Sequence, residues 1–422
     1  MSSQGFACLC LLDLEPKRMH SISELRLQKE PKRAAIRKFA FFKEVLVEQL
    51  EQSLLNEFKN HTLDLKSIRR IAVMRMSAMG DCILLQPTVL RILKHCPHVE
   101  IDWFIDKAWA SLFPKIERLN LIPIPKPRSI KDYLTLKNTV FNQEYDILLA
   151  MQASFRSNLM YTFIKAPLKI GFDKKRARDG QWLWTNARIQ AGEDHLCDGF
   201  ARFADALNIP EEPKLWNIVT AESNELPDVI NQTVETGRPI IGILPAASKL
   251  ERTPEPSFWA AFLESWKEQL EPGRIEPLFV ILGGPSATEA ELAQDILNIN
   301  AGSVDMLNFA GKTSLPVLAG IIKQLQVLIS PDSGPAHLAN ALHTPVIGLY
   351  AVAPSKLSGP YNFRHLTFDC YEEAVEKYLG LSVENTKWGT RVHNRAAMSL
   401  IEPSAVVART LEVLKVAGVP VE

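Results

Sequence analysis

The sequence lacks several features that would assign it to large classes of proteins. No apolar run among its 422 residues approaches the roughly 20 residues that a membrane-spanning helix needs. Lys plus Arg number 48 and Asp plus Glu number 48, so no excess of positive charge points to nucleic acid. The six cysteines show no C-x-x-C pair and no zinc-ligand spacing, which predicts reduced thiols in a cytosolic protein.

Two ligand-binding motifs are also missing. Without a G-x-G-x-x-G sequence, a nicotinamide dinucleotide site is not supported. No D-x-D motif ends a predicted strand, although Asp102 and Asp106 lie close together, so we expect no metal held in that way. The apolar stretch at residues 6–12 is short and has no basic segment before it, so we expect no signal peptide. The length is sufficient for two domains, each with its own core.

The most informative stretch is SPDSGPAHLA at residues 330–339, which follows an apolar, strand-like segment at 327–329. Pro335 suits the first turn of a helix, where the N–H groups are unpaired and carry a partial positive charge that can hold a phosphate. The amides available for this are those of Ser333, Gly334 and Ala336. The alternative is that Asp332 or Ser333 only caps the helix.

A second stretch near the other end of the chain has a similar pattern. Residues 70–75 predict a buried parallel strand, a short turn contains Gly80 and Asp81, and an apolar-periodic helix is expected at about 82–96. Strand, glycine-containing turn and helix typically open a doubly wound α/β unit, and ligands bind at the carboxyl ends of its strands. Asp81 is therefore a candidate functional carboxylate. Alternatively, it only complements the helix dipole.

Taken in order, these segments resemble glycosyltransferase family 9, the ADP-heptose:lipopolysaccharide heptosyltransferases. The resemblance runs from about Arg69 to the C-terminus. In the first half the matching pieces are RMSAMGD at 75–81, QP at 86–87, EIDWF at 100–104 and KIGFD at 169–173. In the second half they are LGGP at 282–285 followed by Glu289, NFAGKTSL at 308–315, DSGPAHLA at 332–339, PVIGLY at 345–350 and GPY at 359–361.

The resemblance implies a GT-B fold, in which two Rossmann-like, doubly wound α/β domains face each other across a cleft. Strand-like segments fit two such sets, at 71–74, 99–105 and 147–150 and then at 239–244, 277–282, 327–329 and 346–350. We expect a basic, helical N-terminal extension (1–67), an acceptor-binding domain (68–222), a linker (223–237), a nucleotide-sugar-binding domain (238–400) and a C-terminal helix (401–422). In this architecture the last helix often crosses back to the first domain.

The N-terminal extension is basic between residues 17 and 38 and has apolar residues at near-helical spacing from 36 to 54. Two interpretations stay open. A basic amphipathic helix can lie on an anionic membrane surface. It can equally pack on its own protein or on a second subunit.

The resemblance implies that Asp81 is the catalytic base, taking the proton of an acceptor hydroxyl. One carboxylate without a nucleophilic partner implies a single displacement with inversion. The implied donor is ADP-heptose, bound as substrate with neither metal nor other cofactor, and the acceptor is the lipopolysaccharide inner core at the cytoplasmic face of the inner membrane. His337 is expected to donate to a phosphate oxygen; the alternative is an inert residue in the first helical turn.

The sequence departs from the family in the loop that contacts the donor phosphates. Typical members carry a Lys before a Trp-Pro pair, whereas this chain has PAASKLERTP at 245–254, which aligns that Lys with Glu251 or Arg252. A Glu facing a diphosphate would be repulsive, so we favour Arg252, with Lys249 second and Ser248 as a hydroxyl donor. Glu289 is a further donor-binding candidate. Ala351 stands where a Gly commonly follows the preceding strand.

The candidate acceptor-binding residues lie in the first half of the chain: Ser77, Gly80, Arg156, Lys175 and Arg176. The last two belong to a basic cluster at 174–178, for which a merely solvated surface is the alternative. His195 is expected to be structural.

Three functions therefore compete. The first is an inverting, metal-independent heptosyltransferase. The second is a related enzyme that uses another nucleotide-sugar, such as a hexose donor. The third is a degenerate, non-catalytic relative that binds a nucleotide-sugar or assembles with a partner through residues 1–67.

Overall fold

The computed structural model describes residues 64–192, 195–270 and 276–419, which form two α/β lobes. Most of the predicted N-terminal extension, including its basic amphipathic stretch, lies outside the described residues. Among those that are described, no helix combines the length and apolarity needed to cross a membrane. The four described cysteines, three of them buried, form no disulfide.

The first lobe is built on a six-stranded parallel sheet. Its strands are β1 (Arg70–Met74), β2 (Glu100–Asp106), β3 (Leu119–Ile124), β4 (Ile147–Leu149), β5 (Leu168–Gly171) and β6 (Ala187–Arg188), in the spatial order β3-β2-β1-β4-β5-β6. Helices cover both faces, which is why residues 71–74 are all apolar and buried. These helices are α1 (Met79–His95), α2 (Ile130–Thr139), α3 (Phe155–Met160) and α4 (Leu196–Asp205).

The second lobe repeats this topology. Its strands are β7 (Ile240–Ile243), β8 (Leu278–Ile281), β9 (Met306–Asn308), β10 (Val327–Pro331), β11 (Val346–Tyr350) and β12 (Phe368–Asp369), in the order β12-β11-β10-β7-β8-β9. Its helices are α5 (Asp228–Glu235), α6 (Pro256–Gln269), α7 (Ala287–Asn300), α8 (Leu315–Gln324), α9 (Gly334–Ala341), α10 (Ser355–Ser358), α11 (Tyr371–Leu379) and α12 (Pro403–Val416).

Each sheet thus has its first and fourth strands side by side, and all pairs are parallel. Chain connections leave such a sheet in opposite directions from this point, which opens a crevice at the carboxyl ends of the two strands. The crevices lie after β1 and β4 in the first lobe and after β7 and β10 in the second. The predicted pair of doubly wound domains is confirmed.

Differences between predicted and observed elements concern boundaries and edge strands. Helix α1 begins at Met79 rather than near residue 82, so Gly80 and Asp81 belong to its first turn. Because glycine is a poor helix former, the sequence around Gly80 does not predict that the helix has already begun. Strand β3 is absent from the predicted strand-like segments, and it contains a proline. Its Pro123 is tolerated because β3 is an edge strand.

The chain crosses between the lobes within a very short segment. The Asn217 amide donates to Gln86 Oε1 of α1 (2.8 Å), and the Val219 amide donates to the Leu112 carbonyl (2.9 Å), both within the first lobe. The Ala221 amide then donates to the Pro316 carbonyl of the second lobe (2.9 Å). Residues 223–237, expected as the linker, contain helix α5. Burial of Ile230 on one face of that helix stabilises it.

The last helix stays with the second lobe. Helix α12 packs on α6, and its Val406, Val407 and Leu414 share a core cluster with Trp266. The expectation that it crosses back to the first domain is therefore wrong for the described residues. Its apolar face is covered within the second lobe itself.

His195 joins the two lobes on one side of the cleft. Its Nε2–H donates to the Gly359 carbonyl (2.9 Å), and its Nδ1 accepts from the Cys197 amide (3.1 Å). Burial, reinforced by the nearby Arg364, lowers the pKa of His195 to about 3. The imidazole is therefore neutral, with one donor and one acceptor nitrogen, both used. This arrangement agrees with the structural role expected for His195.

Candidate active site

The first crevice holds Asp81 in a fixed position. One carboxylate oxygen accepts from the Ala78 amide (3.0 Å) and forms an ion pair with the Arg75 guanidinium. Arg75 also donates to the Met151 carbonyl after β4 (2.8 Å), and its guanidinium lies over the Phe200 ring at 5.2 Å. Arg75 is the first residue of the RMSAMGD motif, which predicted no role for it. The structure identifies it as the partner that orients Asp81.

The second crevice contains a matching pair of charges. Asp332 follows β10, and its carboxylate lies 2.8 Å from Nη1 of Arg252. Arg252 ends a short 3₁₀ turn after β7, and both side chains are largely buried. Glu251 turns the other way, where its carboxylate lies 3.3 Å from Nδ1 of His393. Of the two residues that align with the family Lys, it is Arg252 that faces the start of α9.

The Ser333 side chain caps the start of α9. The Ser333 hydroxyl accepts from the Ala336 amide (3.4 Å) and shares a hydrogen bond with the Ser330 hydroxyl (2.9 Å). The capping alternative for Ser333 is therefore present in the structure. It uses the Ala336 amide and leaves the amides of Ser333 and Gly334 without a backbone or side-chain acceptor among the described residues.

The starts of α1 and α9 meet across the cleft. A Cβ atom built on Gly80 would overlap the His337 ring, and one built on Gly334 would overlap the Met79 side chain. Both glycines are needed because only hydrogen atoms fit between the helices. His337 is buried, and its Nδ1 has no hydrogen-bond partner among the described residues. Burial lowers the pKa of His337, while the nearby Asp332 and Asp81 oppose this effect.

Beside this contact lies a cavity of about 210 Å³ whose walls come from both lobes. Asp81 and Arg75 form part of its wall, and Asp81 is the one acidic side chain among the described residues that line it. The first lobe also contributes Ala153, Phe172, Arg176, Arg178, Leu196, Gly199 and Phe200, and the second lobe contributes Ala353, Leu357, Ser358 and residues 388–391. An anionic or polar ligand can therefore contact the Asp81 carboxylate and several guanidinium groups together.

Arg176 is held firmly in this wall. Its Nη2 donates to the Gly192 carbonyl (2.6 Å), its Nη1 lies 3.4 Å from the Asp173 carboxylate, and its guanidinium lies 5.6 Å from the Trp388 ring centre. Of the predicted acceptor-binding residues, Arg176 lines the cavity and Gly80 lies in the contact between the helices. Sequence reasoning missed the second-lobe wall at residues 388–391, which carries no periodic pattern.

Other predicted residues lie outside this cavity. Ser248, Lys249, Arg156 and Lys175 are exposed. The Ser77 hydroxyl accepts from Nε2 of Gln152 after β4 (3.3 Å). None of these positions lines the cavity, so their roles stay predictions.

Glu289 belongs to a separate group at the carboxyl ends of β8 and β9. It lies in the first turn of α7 and accepts from the Ser286 hydroxyl (2.8 Å). A Cβ on Gly284 would lie only 2.6 Å from Glu289 Oε2, and one on Gly311 would lie 3.1 Å from Pro285 Cα. The missing side chain of Gly284 thus leaves room for the Glu289 carboxylate, and that of Gly311 lets the chain pass close to Pro285.

No cluster of three or more His, Cys, Asp or Glu side chains suited to a metal ion occurs in the part of the chain that the structure describes.

Comparison with known proteins identifies the family. The model of glycosyltransferase family 9 (heptosyltransferase) matches residues 133–379, more than half of the chain. A lipopolysaccharide core heptosyltransferase of Haemophilus influenzae, OpsX, is 31% identical over 343 residues, covering 81% of this chain and 96% of that protein. The chain belongs to glycosyltransferase family 9.

Solved structures agree with this assignment at the level of fold. The Escherichia coli ADP-heptose LPS heptosyltransferase II superposes with a TM-score of 0.61 at 19% identity, covering 83% of this chain and 99% of that chain. The E. coli heptosyltransferase WaaC with ADP gives a TM-score of 0.53 at 21% identity, covering 71% and 92%. This family 9 member therefore has the GT-B fold that its sequence predicts.

The close contact between α1 and α9 generates a prediction. Gly80→Ala should destabilise the protein by about 1–3 kcal/mol, because the added methyl group overlaps the buried His337 ring. The free energy of unfolding would be measured by denaturant titration for Gly80→Ala, His337→Ala and the double variant.

In the His337→Ala background the Gly80→Ala change should cost clearly less, since the overlapping ring atoms are gone. Equal costs in both backgrounds would show that the contact across the cleft does not constrain Gly80.

Proposed function

We propose that this family 9 member is an inverting, metal-independent heptosyltransferase that moves heptose from ADP-heptose onto the lipopolysaccharide inner core. The observation that carries the proposal is the facing arrangement of Asp81 on the first lobe and the Arg252–Asp332–α9 group on the second. The relatives named as heptosyltransferases, and the related structure that contains ADP, support the choice of donor.

In the proposed reaction, an acceptor hydroxyl lies in the cavity beside Asp81. Its oxygen attacks the anomeric carbon of the donor sugar, the bond from that carbon to the diphosphate breaks, and ADP leaves with the bonding electrons. The Asp81 carboxylate takes the hydroxyl proton. General-base help of this kind contributes about 10²–10⁴-fold in rate. Since the described residues of the cavity wall include no second carboxylate to act as a nucleophile, attack is direct and the anomeric carbon inverts.

Charge on the leaving diphosphate is stabilised from the second lobe. The free amides at the start of α9 and the helix dipole favour an anion there, and Arg252 adds a guanidinium that can bind phosphate oxygens in a bidentate manner. These fixed positive groups provide the stabilisation for which other glycosyltransferases use a divalent metal. Glu289, beside Gly284, is proposed to accept from the donor's ribose hydroxyls.

We further propose peripheral association with the cytoplasmic face of the inner membrane. The first lobe carries an apolar patch, defined here as Ile130, Leu134, Phe155 and Leu183, all exposed. Its elements are connected, since the Tyr133 hydroxyl of α2 donates to the Arg156 carbonyl of α3 (3.3 Å). Basic residues flank the patch in sequence: Arg128, Lys131, Arg156, Lys174 and Lys175. Apolar side chains among basic ones suit an anionic lipid surface.

The catalytic role of Asp81 predicts a split between binding and turnover. Asp81→Asn should keep ADP affinity and lower transfer from ADP-heptose to a heptose-deficient core lipid by about 10²-fold or more. Calorimetric ADP titration and a transfer assay would measure the two effects. Turnover should be unaffected by EDTA in the wild type.

Several outcomes would contradict this proposal. Unchanged turnover in Asp81→Asn would remove Asp81 from the mechanism, and loss of activity in EDTA would contradict metal independence. Transfer from only a uridine or guanosine nucleotide-sugar would support the alternative donor class, and ADP binding without any transfer would support a non-catalytic relative.

The donor loop gives a second prediction with a matched control. Arg252→Gln should weaken ADP binding about tenfold or more, because a charge-assisted contact is worth roughly 1.5–3 kcal/mol. Lys249→Gln removes a neighbouring, exposed positive charge and should change ADP affinity little. Calorimetric dissociation constants for both variants decide the ranking. A larger loss for Lys249→Gln would mean that Lys249 is the phosphate contact.

The apolar patch predicts vesicle binding. The double variant Ile130→Ser, Phe155→Ser should co-sediment less with phosphatidylglycerol vesicles than the wild type, whereas Val416→Ser, which removes an exposed apolar side chain from the second lobe, should not. Neutral phosphatidylcholine vesicles should bind all three proteins weakly. Wild-type binding by the double variant would show that the patch is not the docking face.

A further inference from the structure

Two guanidinium groups in the cavity wall have no partner among the residues that the structure describes. The side chains of Arg178 and Arg391 make no hydrogen bond or ion pair with any described residue, although both line the cavity. By contrast, Arg75 is paired with Asp81, and Arg252 is paired with Asp332. An unpaired positive charge beside a ligand cavity is available to that ligand.

These two arginines belong to different lobes and lie close to each other's segments. Arg178 follows β5 in the first lobe, and Arg391 belongs to the 388–391 wall of the second. A Cβ atom built on Gly389 would lie 3.3 Å from Nη2 of Arg178, so the Arg178 guanidinium reaches the opposite wall. The two positive groups thus lie in the same cavity wall, one contributed by each lobe.

The charges around Arg391 fit this geometry. Burial lowers its pKa, and the positive charges of Arg252 and Arg178 lower it further, while Asp332 and Asp81 act in the opposite direction. Like charges that approach across a closing cleft repel each other. An anion placed between them converts this repulsion into two attractive, charge-assisted contacts.

The anion is not the donor's diphosphate. The proposed diphosphate site comprises Arg252, Asp332 and the start of α9, and none of these residues lines the cavity. The cavity is instead the space into which Asp81 projects, where the acceptor hydroxyl must lie. A negatively charged substituent of the acceptor is the group that can contact both arginines while its hydroxyl stays near the base.

We infer that Arg178 and Arg391 form a composite anion site, one residue from each lobe, that binds a phosphate or carboxylate group of the acceptor sugar beside Asp81. The inference rests on the proposed function and adds a second-lobe residue to acceptor recognition. Because the site is complete only when the lobes are together, an acidic acceptor favours the closed cleft and a neutral one does not.

The test compares Arg178→Gln, Arg391→Gln and the control Lys267→Gln, which removes an exposed charge on α6 that lies outside the cavity wall. Three acceptors are used: the acidic heptose-deficient core lipid, the same lipid with its phosphates removed enzymatically, and the same lipid with its carboxylates amidated. Initial rates give kcat and KM for each, and calorimetry gives the ADP dissociation constant.

Each arginine variant should raise the KM for the acidic acceptor about tenfold or more and leave ADP affinity unchanged. For the acceptor that lacks the recognised group, variant and wild type should have the same KM. Equal KM values with the dephosphorylated lipid would identify phosphate as that group, and equal values with the amidated lipid would identify carboxylate. An equal loss with all three acceptors, or a parallel loss of ADP affinity, would overturn the inference. Lys267→Gln should behave as the wild type does.

A direct binding measurement keeps this test separate from the proposed function. With ADP saturating, inorganic phosphate and acetate are titrated into the full chain and thermal stabilisation is recorded. Stabilisation that disappears in both arginine variants would support the anion site even if no heptose is transferred. Stabilisation that persists in the variants would overturn the site whatever the reaction.

Discussion

The candidate active site of this protein depends on the approach of two helix starts, one from each lobe. Gly80 and Gly334 lack the side chains that would hold α1 and α9 apart, so Met79 and His337 pack directly against the opposite helix. This contact sets the spacing between the two crevices. The Asp81 carboxylate and the positive start of α9 consequently lie at the same place in the cleft.

Each crevice is then completed by one arginine–aspartate pair. Arg75 restrains Asp81 in the first lobe, and Arg252 lies against Asp332 in the second. The two pairs differ in exposure: Asp81 remains open to the cavity, whereas Asp332 is almost buried. The same topology, used twice, thus places an accessible carboxylate on one side and a helix start beside a guanidinium group on the other.

Much of this fold could be predicted from the sequence, because the central strands are apolar runs and the turns after β1 and β10 carry recognisable small residues. Edge strands such as β3 were missed since their residues are only half buried and include Pro123. The fit of Gly80 against His337 could not be predicted, because it joins residues far apart in the chain. Arg391 was missed for a similar reason. It lies in a segment without periodicity, and its place in the cavity wall depends on the first lobe lying opposite.

The route of the chain between the lobes has a mechanical consequence. Residues up to 219 are fastened to the first lobe through Gln86 and the Leu112 carbonyl, and Ala221 is already bonded to the second. Within the described part of this connection, the backbone around Thr220 is the stretch that lies between these bonds and can absorb a change of angle. A separation of the lobes by rotation would therefore pivot at this point, and the atoms farthest from the pivot would travel the greatest distance.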